Sequence, residues 1–139
     1  MNAERLLTLL LRLIGVVCLL AVVAVFLPRS AIAAVHESIG LGRFPDEPIA
    51  EYLARATSAL YAFYGGLLLL LARDVRRQRD VIRYQAVAIM LCSAAFVAMS
   101  LSSGRLLTYL AIDAVACWAY CVPMLVLVSR IPAADGDSR

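Results

Sequence analysis

Apolar residues in this chain fall into four long runs, separated by short charged or turn-forming stretches. The first extends from Leu6 to Leu27, broken by Thr8 and Arg12, and stops at Pro28-Arg29. A second runs from Tyr52 to Ala72, a third from Tyr84 to Leu101 and a fourth from Leu106 to Val128. A helix needs about 20 apolar residues to cross the hydrocarbon core of a bilayer. The pattern therefore predicts an all-α, four-helix transmembrane bundle with spans at 6–27, 52–72, 84–101 and 106–128, forming one domain over 1–131.

The connections refine that layout. Pro28 to Glu51 is the only sizeable one, and within it Ile32, Val35 and Ile39 recur at helical spacing. A short amphipathic helix on the membrane surface is expected there, capped by Ser30 and ended by Gly40 and Gly42 at positive φ. Asp46-Glu47-Pro48 then starts the second long helix, with Pro48 in the first turn, where its missing N–H costs nothing. Ser102-Ser103-Gly104-Arg105 is too short a turn to join anything but antiparallel neighbours. Residues 132–139 read as a short polar tail.

Composition agrees with a lipid solvent: 63% of residues are hydrophobic and the mean hydropathy is +0.86, more apolar surface than a water-soluble domain of this size can bury. All 13 basic residues are arginine. They cluster at the ends of apolar runs, which is an orientation signal; a nucleic-acid partner would need a continuous basic face. Five arginines lie between the second and third runs: Arg73, Arg76, Arg77, Arg79 and Arg83. Holding these in the cytoplasm also places Arg5, Arg12, Arg130 and Arg139 there, and leaves Arg29, Arg43, Arg55 and Arg105 outside. Both termini are then cytoplasmic and the chain is a multi-pass protein of the inner (plasma) membrane. A rival reading takes the N-terminus as a cleaved signal, with Ala31-Ile32-Ala33 as the site. The full-length first run fits a retained helix better.

Asp113 is the polar residue most in need of explanation, because a carboxylate inside a span costs on the order of 3 kcal/mol. At helical spacing it shares a face with Tyr109, Ala116, Cys117, Tyr120 and Met124, a stripe that points into the bundle. It is either a ligand, ion or proton site, or an aspartate neutralised by a buried partner or held protonated. Arg55, about one turn into the second span, is the expected partner, or else it snorkels to the outer headgroups. His36-Glu37 is the only histidine–carboxylate doublet. With Asp46, Glu47 or Glu51 it could offer a metal ligand, but no ligand spacing singles out a site, and a polar helix face explains it as well.

Cys18, Cys92, Cys117 and Cys121 all lie within apolar runs, where thiols act as small hydrophobes, so no disulfide framework is expected. Cys117 and Cys121 share a helical face, but their spacing differs from the Cys-x-x-Cys redox motif. Gly65-Gly66 with Ala62, Ala59 and Ser58 makes a small-residue face that lets another helix approach, and Pro123 predicts a kink in the fourth helix. Nucleophile–histidine pairs, phosphate-cradling glycine loops and HExxH helices are all missing from the sequence. No catalytic residue, cofactor or metal is expected.

One stretch carries a resemblance. His36, Glu37, Gly40, Leu41, Gly42, Pro45 and then Glu51-Tyr52-Leu53-Ala54-Arg55, within His36 to Arg77, resemble a set of uncharacterised small bacterial four-span membrane proteins. The layout is also similar to DoxX-like four-helix membrane proteins. The resemblance implies the four-span fold and no particular activity. The expected function is thus a non-enzymatic accessory or ligand-binding bundle, with an outward-facing pocket lined by Arg55, Asp113, Tyr109, Tyr61 and His36 or Glu37. Its partners would be the lipid bilayer and a second copy or another membrane protein. The alternative is a small transporter or proton-linked carrier acting as a homo-oligomer, in which Asp113 titrates.

Overall fold

The computed structural model of the chain describes residues 2–103 and 107–132, with side chains at all of these except 100, 102, 103 and 107–112. Every regular element among the described residues is an α-helix: α1 (Ala3–Leu19), α2 (Val22–Phe26), α3 (Arg29–Ser38), α4 (Pro48–Leu71), α5 (Arg79–Ser103) and α6 (Leu107–Ser129). Among the described residues three helical stretches are long and apolar enough to cross a membrane: Ala3–Phe26 (24 residues), Pro48–Leu71 (24) and Arg79–Met99 (21). Each begins a few residues before the apolar run that predicts it. Hydropathy marks the part of a helix that prefers lipid, whereas backbone hydrogen bonding continues into the polar turns that precede it. The fourth run is also helical, and its described side chains make a shorter apolar segment, Asp113–Ser129.

The chain divides into two compact units, Arg12–Leu70 and Met1–Leu11 with Leu71–Arg139. In the first, α1 passes into α2 through a tightened turn at Leu20-Ala21, where Ala21 N–H donates to Cys18 O (3.1 Å) and Ala24 N–H to Ala21 O (3.0 Å). The helix stops at Leu27, whose ψ of 144° is the extended conformation that a following proline imposes. The beginning of α3 differs from the sequence expectation. Pro28 occupies the cap position, and its carbonyl accepts from Ala31 (3.0 Å) and Ile32 (3.2 Å) without any side-chain cap. Ser30 thus lies inside the first turn, because Pro28 already has the extended backbone a cap requires. At the other end, Leu41 N–H donates to His36 O (3.2 Å) and Gly40 N–H to Glu37 O (3.0 Å), the Schellman pair. Gly40 and Gly42 take φ of 83° and 79°, as expected.

Close approach of α1 and α4 depends on two glycines. A Cβ on Gly65 would lie 2.5 Å from both Gly15 O and Leu19 N, and one on Gly15 would lie 3.0 Å from Gly65 O. The small-residue face is therefore real but narrow: Ala62 and Gly65 are buried, Ala59 is exposed, and Gly66 would meet nothing.

In the second unit α5 and α6 pack on each other, and two cross-helix contacts, Gln85 to Met124 and Ser93 to Trp118, show that they run antiparallel. The core takes Ile82, Ala86 and Ser93 from α5, Cys121, Met124 and Val128 from α6, and Leu7 and Leu11 from the start of α1. Val75 and Ile131 close one end. There Glu4 pairs with Arg76 at 2.9 Å, and Asp74 accepts from Arg77 N–H at 3.1 Å to hold the α4–α5 turn. Pro123 lies within α6 without ending it.

Candidate functional site

Arg55 reaches from the second turn of α4 to the end of α2. Its Nη1 donates to Val25 O and its Nη2 to Leu27 O (2.9 Å), carbonyls that a helix end leaves without internal partners. Glu51, four residues back on α4, takes Nε (3.1 Å) and Nη2 (2.7 Å) with one oxygen. Both side chains are only about 30% exposed, at 30% and 31%. All three guanidinium nitrogens are engaged within one unit, so Arg55 needs no aspartate from elsewhere in the chain.

His36 and Glu37 lie in the same unit but do different things. His36 Nδ1 is 3.0 Å from Gly42 O, which can only accept, so Nδ1 carries the proton. The ring also meets the buried Phe44 edge-to-face, at 5.2 Å between centroids. The histidine thereby folds the Gly40–Phe44 turn back onto α3. Beside it, Arg29 and Arg43 converge on Asp46, at 2.9 and 3.3 Å. With Ser30, Glu37 and Phe44 they line a cavity of about 290 Å³. Among the described residues no three of His, Cys, Asp and Glu gather as a metal-binding group.

Asp113, about two turns into α6, faces a second cavity of about 250 Å³ together with Cys92, Ser93, Phe96 and Cys117. The carboxylate is exposed and has no hydrogen bond or ion pair with any described residue. Ser93 in the cavity's lining accepts from the Trp118 indole N–H at 2.8 Å and itself donates to Met90 O at 3.0 Å. The inward stripe of α6 differs somewhat from the expected one. Cys117, Cys121, Met124 and Val128 turn toward α5, Ala116 is exposed, and Asp113 sits one turn beyond Cys117 on that line. Tyr61 is half exposed on α4. Tyr109 lies outside the residues whose side chains are described. The six candidate residues thus divide between the two units.

Gln85 is a buried polar residue that the sequence pattern does not single out. Its side chain is 9% exposed; Nε2 approaches Met124 Sδ at 3.7 Å, and Oε1 has no partner among the described residues. Its signal was an amide three residues after Ile82 and one before Ala86, on the buried line of α5. On α5 and α6 there is also an apolar groove of about 910 Å³, walled by Ala94, Ala98, Leu101, Val115, Trp118 and Val122. None of the four cysteines forms a disulfide; Cys121 is fully buried and Cys92 exposed.

Compared with protein-family models, with curated proteins and with solved structures, the chain matches none.

Proposed function

We propose that the chain is a small integral membrane protein of four spans, with both termini cytoplasmic, serving as a non-enzymatic accessory or ligand-binding subunit through the cavity at Asp113. The resemblance over His36 to Arg77 belongs to the same proposal. Its carrying observation is the open carboxylate: Asp113 lies within the apolar helix α6, is exposed, and has no partner among the described residues. A bilayer penalises such a group by on the order of 3 kcal/mol. A ligand, a proton or a neighbouring chain that meets it removes that penalty. Three long apolar helices with large hydrophobic side chains on their open faces support the membrane setting.

Orientation is supported within one unit. The Glu4–Arg76 pair puts the start of α1 beside the α4–α5 turn, and antiparallel packing puts Arg130 at the same end as Arg79 and Arg83. Arginines concentrated at one end are held in the cytoplasm.

Membrane fractionation and a reporter fused after Arg139 test the setting: the chain should resist carbonate extraction and the reporter should sense the cytoplasm. Release into the soluble fraction would sink it, and periplasmic activity would overturn the orientation. Native mass spectrometry from nanodiscs tests the role, with a bound molecule or second chain expected on wild type and lost in Asp113→Asn. A protomer that is alone and empty in both forms would refute it. The same carboxylate favours one second reading, a homo-oligomeric proton-linked carrier, which proton flux abolished by Asp113→Asn would select.

A further inference from the structure

The outer cavity beside α3 combines charges in a way that ordinary surface ion pairing does not require. Asp46 uses one oxygen for Arg29 Nη2 (2.9 Å) and the other for Arg43 Nη2 (3.3 Å). It works as a strut, holding two like-charged guanidiniums on one carboxylate. Arg29 adds a bond from the same Nη2 to Pro45 O at 3.1 Å. A guanidinium has five N–H donors on three nitrogens, so Nε and Nη1 of both arginines keep theirs for a ligand. Glu37 lines the same cavity, and no cation among the described residues pairs with it. Ser30 adds a hydroxyl and Phe44 an apolar floor.

We propose that this cavity takes a phosphoethanolamine group, a phosphodiester joined to a primary ammonium. The phosphate oxygens accept from Arg29, Arg43 and Ser30, the bidentate geometry that arginine suits best. The ammonium donates to Glu37. A ligand carrying only negative charge would be opposed by Glu37, and a trimethylated ammonium has no N–H to donate to it. The volume of about 290 Å³ sits at the small end of ligand pockets, which matches a headgroup and not a whole lipid. Large apolar side chains flank the segment on both sides: Phe26 just before α3, and Ile49 and Tyr52 at the start of α4, are all exposed. They offer a place for acyl chains, so the lipid form of the ligand rests on the membrane reading above. Free glycerophosphoethanolamine presents the same chemistry without that requirement.

The test uses the full chain and the Glu37→Gln and Arg43→Gln variants, both changes falling on exposed side chains and checked for helix content by circular dichroism. In nanodiscs holding equal phosphatidylethanolamine and phosphatidylcholine, the lipid retained by the protein is identified by native mass spectrometry. In detergent, binding of soluble glycerophosphoethanolamine is measured against its choline counterpart. One charge-assisted contact is worth about a tenfold change in affinity. The ethanolamine form should therefore be preferred about tenfold by wild type, the preference should vanish in Glu37→Gln, and Arg43→Gln should weaken both forms about tenfold. Preference in the nanodisc arm names a lipid source; preference in the soluble arm alone names a free one. Equal retention of the two forms by wild type in both arms, or a preference that survives Glu37→Gln, overturns the site. Fractionation reports on the membrane reading separately, and the soluble arm stays readable if that reading fails.

Discussion

At Arg55 a single side chain meets two carbonyls left over at the end of α2 and a carboxylate on its own helix. Replacing it by glutamine leaves Glu51 charged in a partly buried place and both carbonyls open. We expect Arg55→Gln to lower stability by about 2–3 kcal/mol, read as a fall in the detergent unfolding midpoint, with Arg55→Lys recovering less than half because one ammonium cannot bridge all three acceptors. The sequence singled out Arg55 as a charge needing a partner; the i,i+4 spacing to Glu51 was there to be read, whereas the two carbonyls depend on where α2 ends. The Trp118–Ser93 hydrogen bond is a second residue-scale case. A double-mutant cycle with Trp118→Phe and Ser93→Ala should return a coupling of about 0.6–1 kcal/mol, the usual range for polar contacts between helices in lipid; zero coupling would make the contact incidental. Arg76 gives a sign rather than a size. Its hydrogen bond to Glu4 raises the guanidinium above its ordinary value. The stability that follows is complete below the ordinary arginine range and is lost only as pH rises through the raised one, so Arg76 contributes no pH dependence near neutrality.

Between elements, the meeting of α1 and α4 is decided by one methyl group. A Cβ at Gly65 would collide with the backbone of Gly15 and Leu19, whereas one at Gly66 would enter open space. Gly65→Ala should therefore cost about 2 kcal/mol or more as the helices are forced apart, while Gly66→Ala should gain up to about 1 kcal/mol from helix propensity. Unfolding midpoints of the two variants, measured side by side, should move in opposite directions. Two adjacent glycines look alike in sequence, and only the direction from which α1 approaches separates them. The turn after α3 shows the reverse relation. Gly40 and Gly42 could be placed at positive φ from the end of a helical pattern alone, whereas the fold of His36 back onto Gly42 and Phe44 could not.

At the scale of the whole molecule, the apolar faces of the long helices stay largely uncovered, and the arginines gather at the ends of helices. If arginine position sets orientation, as proposed, then neutralising Arg73, Arg77 and Arg83 together should erode it. Paired reporters after Arg139 and within the Pro28–Glu51 connection should shift from a single orientation to a mixture. Unchanged reporter activities would show that something other than these charges orients the chain.

The order of the helices, and their extent to within about a turn or two, follow from sequence alone, because a run of apolar residues commits its own backbone to internal hydrogen bonds wherever it later packs. The turn chemistry at Gly40, Gly42 and Pro48 is equally local and was equally legible, whereas the cap of α3 falls on Pro28 and not on the expected Ser30. The partners of charged and polar side chains were not. Arg55 with two carbonyls, Asp46 between two arginines, and Gln85 against Met124 all depend on where a helix ends or which way its face turns. A rotation of part of a turn, as on α6, moves a side chain from core to surface without changing a residue. Tertiary structure made those choices, since hydrogen bonds act over about 3 Å whereas the hydropathy pattern locates a side chain only to within about one 5.4 Å turn of helix.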